Sequence, residues 1–364
     1  MTKNNGTDNF VDLVRTDVGK LAPYTPGTYY TDLAARLGRD PAEMVKLDAN
    51  ENPYGPPPAA LQALSNLRTP HRYPEPECRR LRRALSSVTD VPVEQLLVGA
   101  GSDELLRLTT QLLIEPGDAV VNCPPTFGMY AFFAALAGAR VVDVPRHADF
   151  SLDVDAIEAA VHRERPKLLF VCSPNNPTGT LTGDADLCRL LDLPVIVLLD
   201  EAYVEFSDWP SRMTWAPERD NLIIVRTLSK WGGLAGLRVG YGAFPAALMP
   251  HLWKIKEPYT VSAAAEAAAC AALTDLDTLN ERRDRIVAER ERLLTQLARI
   301  PYLTPIPSHA NFIYCKIKER DPQALRAGLE AQGILLRWYD GKDVVRISVG
   351  TPEQNDQLVA ALGV

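Results

Sequence analysis

Three apolar runs stand out along the chain: Leu168-Leu169-Phe170-Val171-Cys172 behind Lys167, Leu193-Pro194-Val195-Ile196-Val197-Leu198-Leu199, and Leu222-Ile223-Ile224-Val225. None alternates apolar with polar positions, so each predicts a strand buried on both faces, as in a parallel sheet between helical layers. Shorter runs of the same kind, Leu96-Leu97-Val98 and Ala119-Val120-Val121, precede them. The intervening stretches change period: Leu105 to Leu113 is apolar at helical spacing, and a small-residue helix runs up to Gly138. Strand, turn and helix in alternation predict an α/β domain, and such sheets bind ligands beyond the carboxyl ends of their strands.

Beyond Tyr241 the alternation fades. Ala263 to Leu273 reads as an alanine-rich helix, and Leu276 to Leu297 as a long charged amphipathic helix able to bridge two domains. Strands over Asn311 to Cys315, Ile334 to Arg337 and Val344 to Val349, a helix over Pro322 to Gln332 and a closing helix from Pro352 form a smaller α/β unit. Ahead of the large unit, Phe10 to Val14 predicts a short helix, Leu21 to Gly27 a proline-held extended arm, and Ala59 to Leu67 and Cys78 to Leu85 two further helices. Leu47-Asp48-Ala49-Asn50-Glu51-Asn52-Pro53-Tyr54-Gly55-Pro56 is polar and proline-punctuated, too irregular for a core element and of the kind of loop that carries function.

Composition narrows the function classes. At 364 residues, with 46% apolar and 23% charged residues, the chain has the make-up of a globular protein with a large core. A formal net charge of −7 argues against a general binder of nucleic acid or of a membrane surface, which needs a basic face. The six cysteines include no C-x-x-C pair and only five histidines are present, so neither a disulfide framework nor a metal cluster is expected. Met1 to Asn9 is polar, and no apolar run approaches the roughly 18 residues of a membrane span, so a cytoplasmic location is expected.

Candidate chemistry collects at the strand ends. Lys230 follows the strand Leu222 to Val225, and a glycine-rich loop returns a second cation, Arg238, eight residues later. A lysine just past a buried strand can be desolvated, which lowers its pKa and makes it a nucleophile and proton carrier able to hold a carbonyl cofactor as a Schiff base. By itself a Ser-Lys pair is more often an ordinary solvated loop. Two other strands end in polar groups, however: Asn176 follows Cys172, and Asp200 follows Leu199 with Tyr203 close behind. Gly99-Ala100-Gly101-Ser102-Asp103-Glu104 turns a strand into a helix whose free N–H groups suit an anion, but Glu104 stands where a dinucleotide fingerprint needs glycine, which weighs against a nicotinamide dehydrogenase. Phe127, at another strand end, can cover a planar ligand. Together these groups fit pyridoxal 5'-phosphate (PLP): Lys230 for the imine and for proton shuttling, Asp200 for the pyridine nitrogen, Tyr203 and Asn176 for the phenolic oxygen, and Ser102, the helix start after Gly101, Ser229 and Arg238 for the phosphate.

The chain also resembles a known family. Asn50-Glu51-Asn52-Pro53-Tyr54-Gly55-Pro56, Arg72-Tyr73-Pro74, Gly101-Ser102-Asp103-Glu104, Pro174-Asn175-Asn176-Pro177-Thr178-Gly179, Asp200-Glu201-Ala202-Tyr203, Thr227-Leu228-Ser229-Lys230, Gly236-Leu237-Arg238-Val239-Gly240-Tyr241 and Arg346-Ile347 are similar, in order, to the motifs of the fold-type I aminotransferases, most closely the branch acting on histidinol phosphate. The resemblance implies a large domain with a mostly parallel seven-stranded sheet covered by helices, residues 47–265, and a smaller α/β domain, 266–364, which the N-terminal arm 1–46 joins. It implies an amino donor and a 2-oxo acid as substrates, with histidinol phosphate and 2-oxoglutarate leading. Aromatic amino acids come next; a PLP-dependent decarboxylase or lyase is the remoter alternative. It further implies Asp103 beside the cofactor, a homodimer with shared active sites in which Tyr73 reaches the partner's cofactor phosphate, and Tyr24, Asn52, Tyr259, Arg337 and Arg346 near the substrate. Two departures bear on substrate choice: Trp231-Gly232 after the lysine, where alanine and phenylalanine are expected, and Phe127 rather than tyrosine at the ring-stacking position.

Overall fold

The structure is a computed structural model and describes residues 10–19, 21 and 27–363. Its strands are β1 (Val45–Leu47), β2 (Leu96–Ala100), β3 (Ala119–Asn122), β4 (Arg140–Asp143), β5 (Leu168–Cys172) and β6 (Ile196–Asp200), followed by β7 (Leu222–Thr227), β8 (Val239–Ala243), β9 (Leu303–Ile306), β10 (Phe312–Ile317), β11 (Ile334–Trp338) and β12 (Val344–Ser348). They form a seven-stranded sheet in the order β2-β8-β7-β6-β5-β3-β4 and a five-stranded sheet in the order β1-β11-β12-β10-β9. In the larger sheet only β8 runs against its neighbours β2 and β7; the remaining pairings are parallel.

The apolar runs do what their lack of alternation predicts. Leu169, Val171, Val197, Leu199 and Ile224 enter one buried cluster, while Leu168, Phe170, Leu198, Ile223 and Val225 enter the cluster on the opposite face. Successive side chains point to opposite faces of a strand, so only a sheet covered on both sides can bury every position. Truncating one of these leucines to alanine would cost about 2–5 kcal/mol through lost burial and the cavity left behind. The second apolar run begins as a turn, Val195 N–H bonding Leu193 C=O at 2.8 Å, so β6 itself starts at Ile196.

The helix Leu276–Leu297 has the bounds its pattern predicts. Leu279 and Ile286 pack in the large core, whereas Leu293 and Leu297 pack with the small sheet, so one helix serves both.

Two segments depart from the sequence reading. The glycine-rich stretch after Lys230 ends in a strand, β8, rather than continuing as loop. A Cβ on Gly240 would lie 2.2 Å from the Gly101 carbonyl carbon, so glycine is what lets β8 approach the β2 turn, and its missing side chains hide the strand pattern. The proline-punctuated stretch after Leu47 is also no surface loop at its start: β1 pairs with β11 through Leu47 and Leu336, and Asn50 is buried at a left-handed φ of 53°.

Candidate active site

The four groups expected at the phosphate, Ser102, the helix start after Gly101, Ser229 and Arg238, meet at one turn, with Asp103 beside them. β2 ends at Ala100, Gly101 takes φ +81°, and the helix Ser102–Leu113 starts with glycine at its N-cap and hence with no side-chain cap. Arg238 crosses this turn: its Nη2 lies 3.1 Å from Asp103 Oδ2, and its Nη1 donates to Ser229 Oγ at 3.4 Å. A Cβ on Gly101 would sit 2.5 Å from Arg238 Nη2. Glycine therefore keeps the first helical N–H groups and the guanidinium open to one shared anion, which a Ser or Thr cap would displace.

Asp200, 3% exposed, terminates β6. Its Oδ1 accepts the Ala202 N–H at 2.9 Å and its Oδ2 accepts the Tyr130 hydroxyl at 2.7 Å. Burial pushes its pKa up to about 6, against the pull of those two donors. Tyr130 is itself wedged, stacked on Phe170 at 5.1 Å and meeting Phe127 edge-on at 5.5 Å. Sequence reasoning picked Phe127 and missed Tyr130, one helical turn later; the i, i+3 spacing of two aromatics after a strand end was the available signal.

Lys230 is half-buried, and its Nζ donates to the Ala49 carbonyl at 3.0 Å. Desolvation of the amine, reinforced by the Arg346 charge, lowers its pKa to about 8. The Asp48-to-Asn52 segment thus supplies the lysine's acceptor, although the sequence marked this segment only as a functional loop.

Asn176 and Tyr203 are each tied to the small sheet. Arg346 Nη1 donates to Asn176 Oδ1 at 2.7 Å and its Nη2 to the Asp48 carbonyl at 2.6 Å. Tyr203 accepts the Asn50 amide at 3.1 Å, and Ser348 Oγ bonds both the Asn50 N–H, at 2.8 Å, and Asn50 Oδ1, at 3.0 Å. Asn311 donates to the Asn50 carbonyl at 3.0 Å. Arg346 and Ser348 are two apart on β12 and therefore share a face, which is the one turned to the carboxyl ends of β5 and β6. Asn50, Asn311 and Ser348 were not singled out as site residues, because their partners lie roughly 150 to 300 residues away in sequence.

Arg346 is 7% exposed, its two terminal nitrogens donate to an amide and a carbonyl oxygen rather than to a carboxylate, and its Nε is without a partner. Directly across the antiparallel β11–β12 pair stands Arg337, whose guanidinium lies 5.9 Å from the Tyr339 ring centre. Like charges opposite one another on a sheet repel, and a bound anion relieves that repulsion. Asn52 donates to the Trp231 carbonyl at 3.1 Å and steadies the turn after the lysine. Tyr73 and Tyr259 stack on each other at 4.7 Å at the surface, 83% and 42% exposed. Tyr24 lies outside the described residues. Among the described residues, no group of His, Cys, Asp and Glu side chains suits a metal ion, and no helix is long and apolar enough to cross a membrane.

Residues 42–362 match the family of aminotransferases class I and II. The chain is 49% identical over 353 residues to the chloroplastic histidinol-phosphate aminotransferase of Nicotiana tabacum, across 96% of this chain and 86% of that one. It is also 49% identical to the histidinol-phosphate aminotransferase of Roseiflexus castenholzii, across 96% and 97% of the two chains. Among solved structures, histidinol-phosphate aminotransferase from Sinorhizobium meliloti in complex with pyridoxal-5'-phosphate aligns with a TM-score of 0.86 at 29% identity, over 96% of each chain. A match to the family over most of its length, together with that identity to relatives across theirs, shows that the chain belongs to the class I and II aminotransferases.

Proposed function

We propose that this chain is a PLP-dependent aminotransferase that moves the amino group of histidinol phosphate to 2-oxoglutarate. The relatives' names support this reading, and so does the cofactor in the Sinorhizobium meliloti structure. The site's residues fit that cofactor: a glycine N-cap beside Arg238 for a phosphate, a buried carboxylate whose pKa of about 6 a cationic ring would lower, and an amine whose pKa is lowered to about 8. When bound, PLP supplies an aldehyde that captures amines and a ring that accepts the electron pair left by the breaking substrate C–H bond.

The residues divide the remaining work. Lys230 Nζ would hold the cofactor and would take the proton from the substrate's α-carbon; a pKa of about 8 leaves a useful neutral fraction at physiological pH. Asp200 would keep the ring nitrogen protonated, Asn176 and Tyr203 would orient the phenolic oxygen, and Phe127 would cover the ring. Gly101, Ser102, Asp103, Ser229 and Arg238 form the phosphate seat. Asn52 holds the turn beside the substrate.

The observation that carries the choice of substrate is the cross-strand pair Arg337 and Arg346. Histidinol phosphate bears a phosphomethyl group where an amino acid bears its α-carboxylate. One guanidinium grips a carboxylate through two parallel bonds, whereas a phosphate offers a third oxygen and more charge. Arg346 then serves both substrates and Arg337 the phosphate, with Tyr24 and Tyr259 as hydroxyl donors. Tyr73, exposed on this protomer, reaches the cofactor phosphate of a second copy in a homodimer. A cytoplasmic site of action belongs to the same reading, although the plant relatives are named chloroplastic. Assaying purified protein against a panel of amino donors tests the assignment: histidinol phosphate should lead, and a preference for phenylalanine or tyrosine would overturn it.

A further inference from the structure

The helix that begins the phosphate seat carries a buried ion pair on its inner side. Glu104, its third residue, bonds the Ala100 N–H through Oε2 at 2.5 Å, and its Oε1 lies 3.3 Å from Lys256 Nζ. Both side chains are almost entirely buried, 6% and 4% exposed. Glu104 thus performs half of a capping box, reaching back past the N-cap, while glycine at the N-cap leaves the other half open for an anion. The carboxylate is fitted closely to the end of β2: a Cβ on Gly99 would lie 2.9 Å from Glu104 Oε2.

The far end of the pair fixes a different segment. Lys256 also donates to Thr260 Oγ1 at 2.7 Å and to the Glu257 carbonyl at 3.3 Å, so all three of its protons have acceptors. Arg107, one turn along the same helix, bonds Glu257 at 2.7 Å. The helix therefore grips residues 256 and 257 at two points of opposite charge order, which sets the register between them. Between these anchors and Thr260 sits Tyr259, held at φ +64°, a left-handed conformation that an aromatic residue adopts only under constraint, with its ring on Tyr73. A buried ion pair stabilises little once its desolvation is counted, and an apolar pair would pack as well. What an apolar pair lacks is an acceptor for the Ala100 N–H and a donor for Thr260.

We propose that the Glu104–Lys256 pair is a positioning link that couples anion binding at the Gly101–Ser102 turn to the placement of Tyr259, and hence to the hydroxyl that Tyr259 offers the amino donor. The inference rests on the reading that the cofactor phosphate sits at that turn. Two sites joined by one rigid contact share a coupling free energy, and removing the contact uncouples them without abolishing either.

Hydrogen exchange with and without PLP, followed at the amides of 101–104 and 256–260, tests the link. In the native protein PLP should slow exchange at both segments. In Lys256→Met the slowing at 101–104 should persist, the slowing at 256–260 should fall about tenfold, within the range for coupled sites, and KM for the amino donor should rise with kcat held within about twofold. Lys256→Arg should restore the response. Glu104→Gln, which keeps an acceptor for Ala100 and loses the charge, should give the Lys256→Met pattern in weaker form and decides the matter if Lys256→Met does not fold. An undiminished response at 256–260 in Lys256→Met, or in Glu104→Gln where it stands in, would overturn the link. In the native protein, a response at 101–104 without one at 256–260 would remove the link alone, and none at 101–104 would remove the phosphate placement and the link together.

Discussion

The Tyr130 hydroxyl donates to Asp200 Oδ2 at 2.7 Å, both groups fully enclosed, so the carboxylate at the end of β6 is oriented by a neutral donor while burial raises its pKa to about 6. The folded-state value lies above the ordinary 3.8, so the folded protein holds an extra proton between those limits, and ionising Asp200 destabilises it as pH rises from about 4 to 6. Asp200→Asn removes that penalty. Cofactor-free protein should then gain about 3 kcal/mol at pH 7.5 and little at pH 4, measured by urea unfolding at the two values, while transamination drops about a thousandfold. Equal effects at both pH values, or near-normal turnover, would refute the role.

Lys230 is the expected point of covalent attachment. The neutral amine is the nucleophile, so the rate at which PLP joins the cofactor-free protein should climb with pH and level off above about 8, where an ordinary lysine would still be climbing. Arg346→Ala should move that midpoint upward, since the Arg346 charge contributes to lowering it. Lys230→Ala should lose the attachment altogether. A borohydride-fixed pyridoxyl label mapping to another lysine would end this assignment.

Arg337 and Arg346 should separate in their effects. Arg346→Ala should damage both half-reactions, because its guanidinium also positions Asn176. Arg337→Ala should weaken histidinol phosphate by roughly 2 kcal/mol, about thirtyfold, the scale of a lost charge-assisted bond, and leave glutamate nearly untouched. Steady-state kinetics with each donor checks this, and parallel losses on both donors in Arg337→Ala would count against the division.

If active sites are shared between copies, Tyr73 belongs to the neighbour's site. Mixing Lys230→Ala with Tyr73→Phe subunits creates hybrid dimers in which one site has both native residues. Activity should recover to a fraction of native on mixing. A fully active monomer in sedimentation would contradict the arrangement.

Much of this is legible in the sequence. Val171, Leu199 and Ile224 belong to runs with no polar alternation, and such runs have one stable home, between two covering layers; the strand ends, and with them Asn176, Asp200 and Lys230, follow from where the runs stop. Gly101 and Arg238 were recognisable because a turn and a returning cation are local features. β8 was not, since Gly240 and Gly242 remove the side chains from which a strand is read, and the reason for glycine is a neighbour, the Gly101 backbone, 139 positions earlier.

The sequence by itself therefore determined the α/β architecture and the strand ends at which Asn176, Asp200 and Lys230 lie, because burial period and chain breaks are properties of neighbouring residues. Tertiary structure alone decided that Tyr130 holds Asp200, that Asn50 bridges Tyr203 and Ser348, and that Arg337 faces Arg346. Those relations arise where separate strands close on one another, and the strength of a hydrogen bond or a repulsion depends on distance in space, which no local pattern encodes.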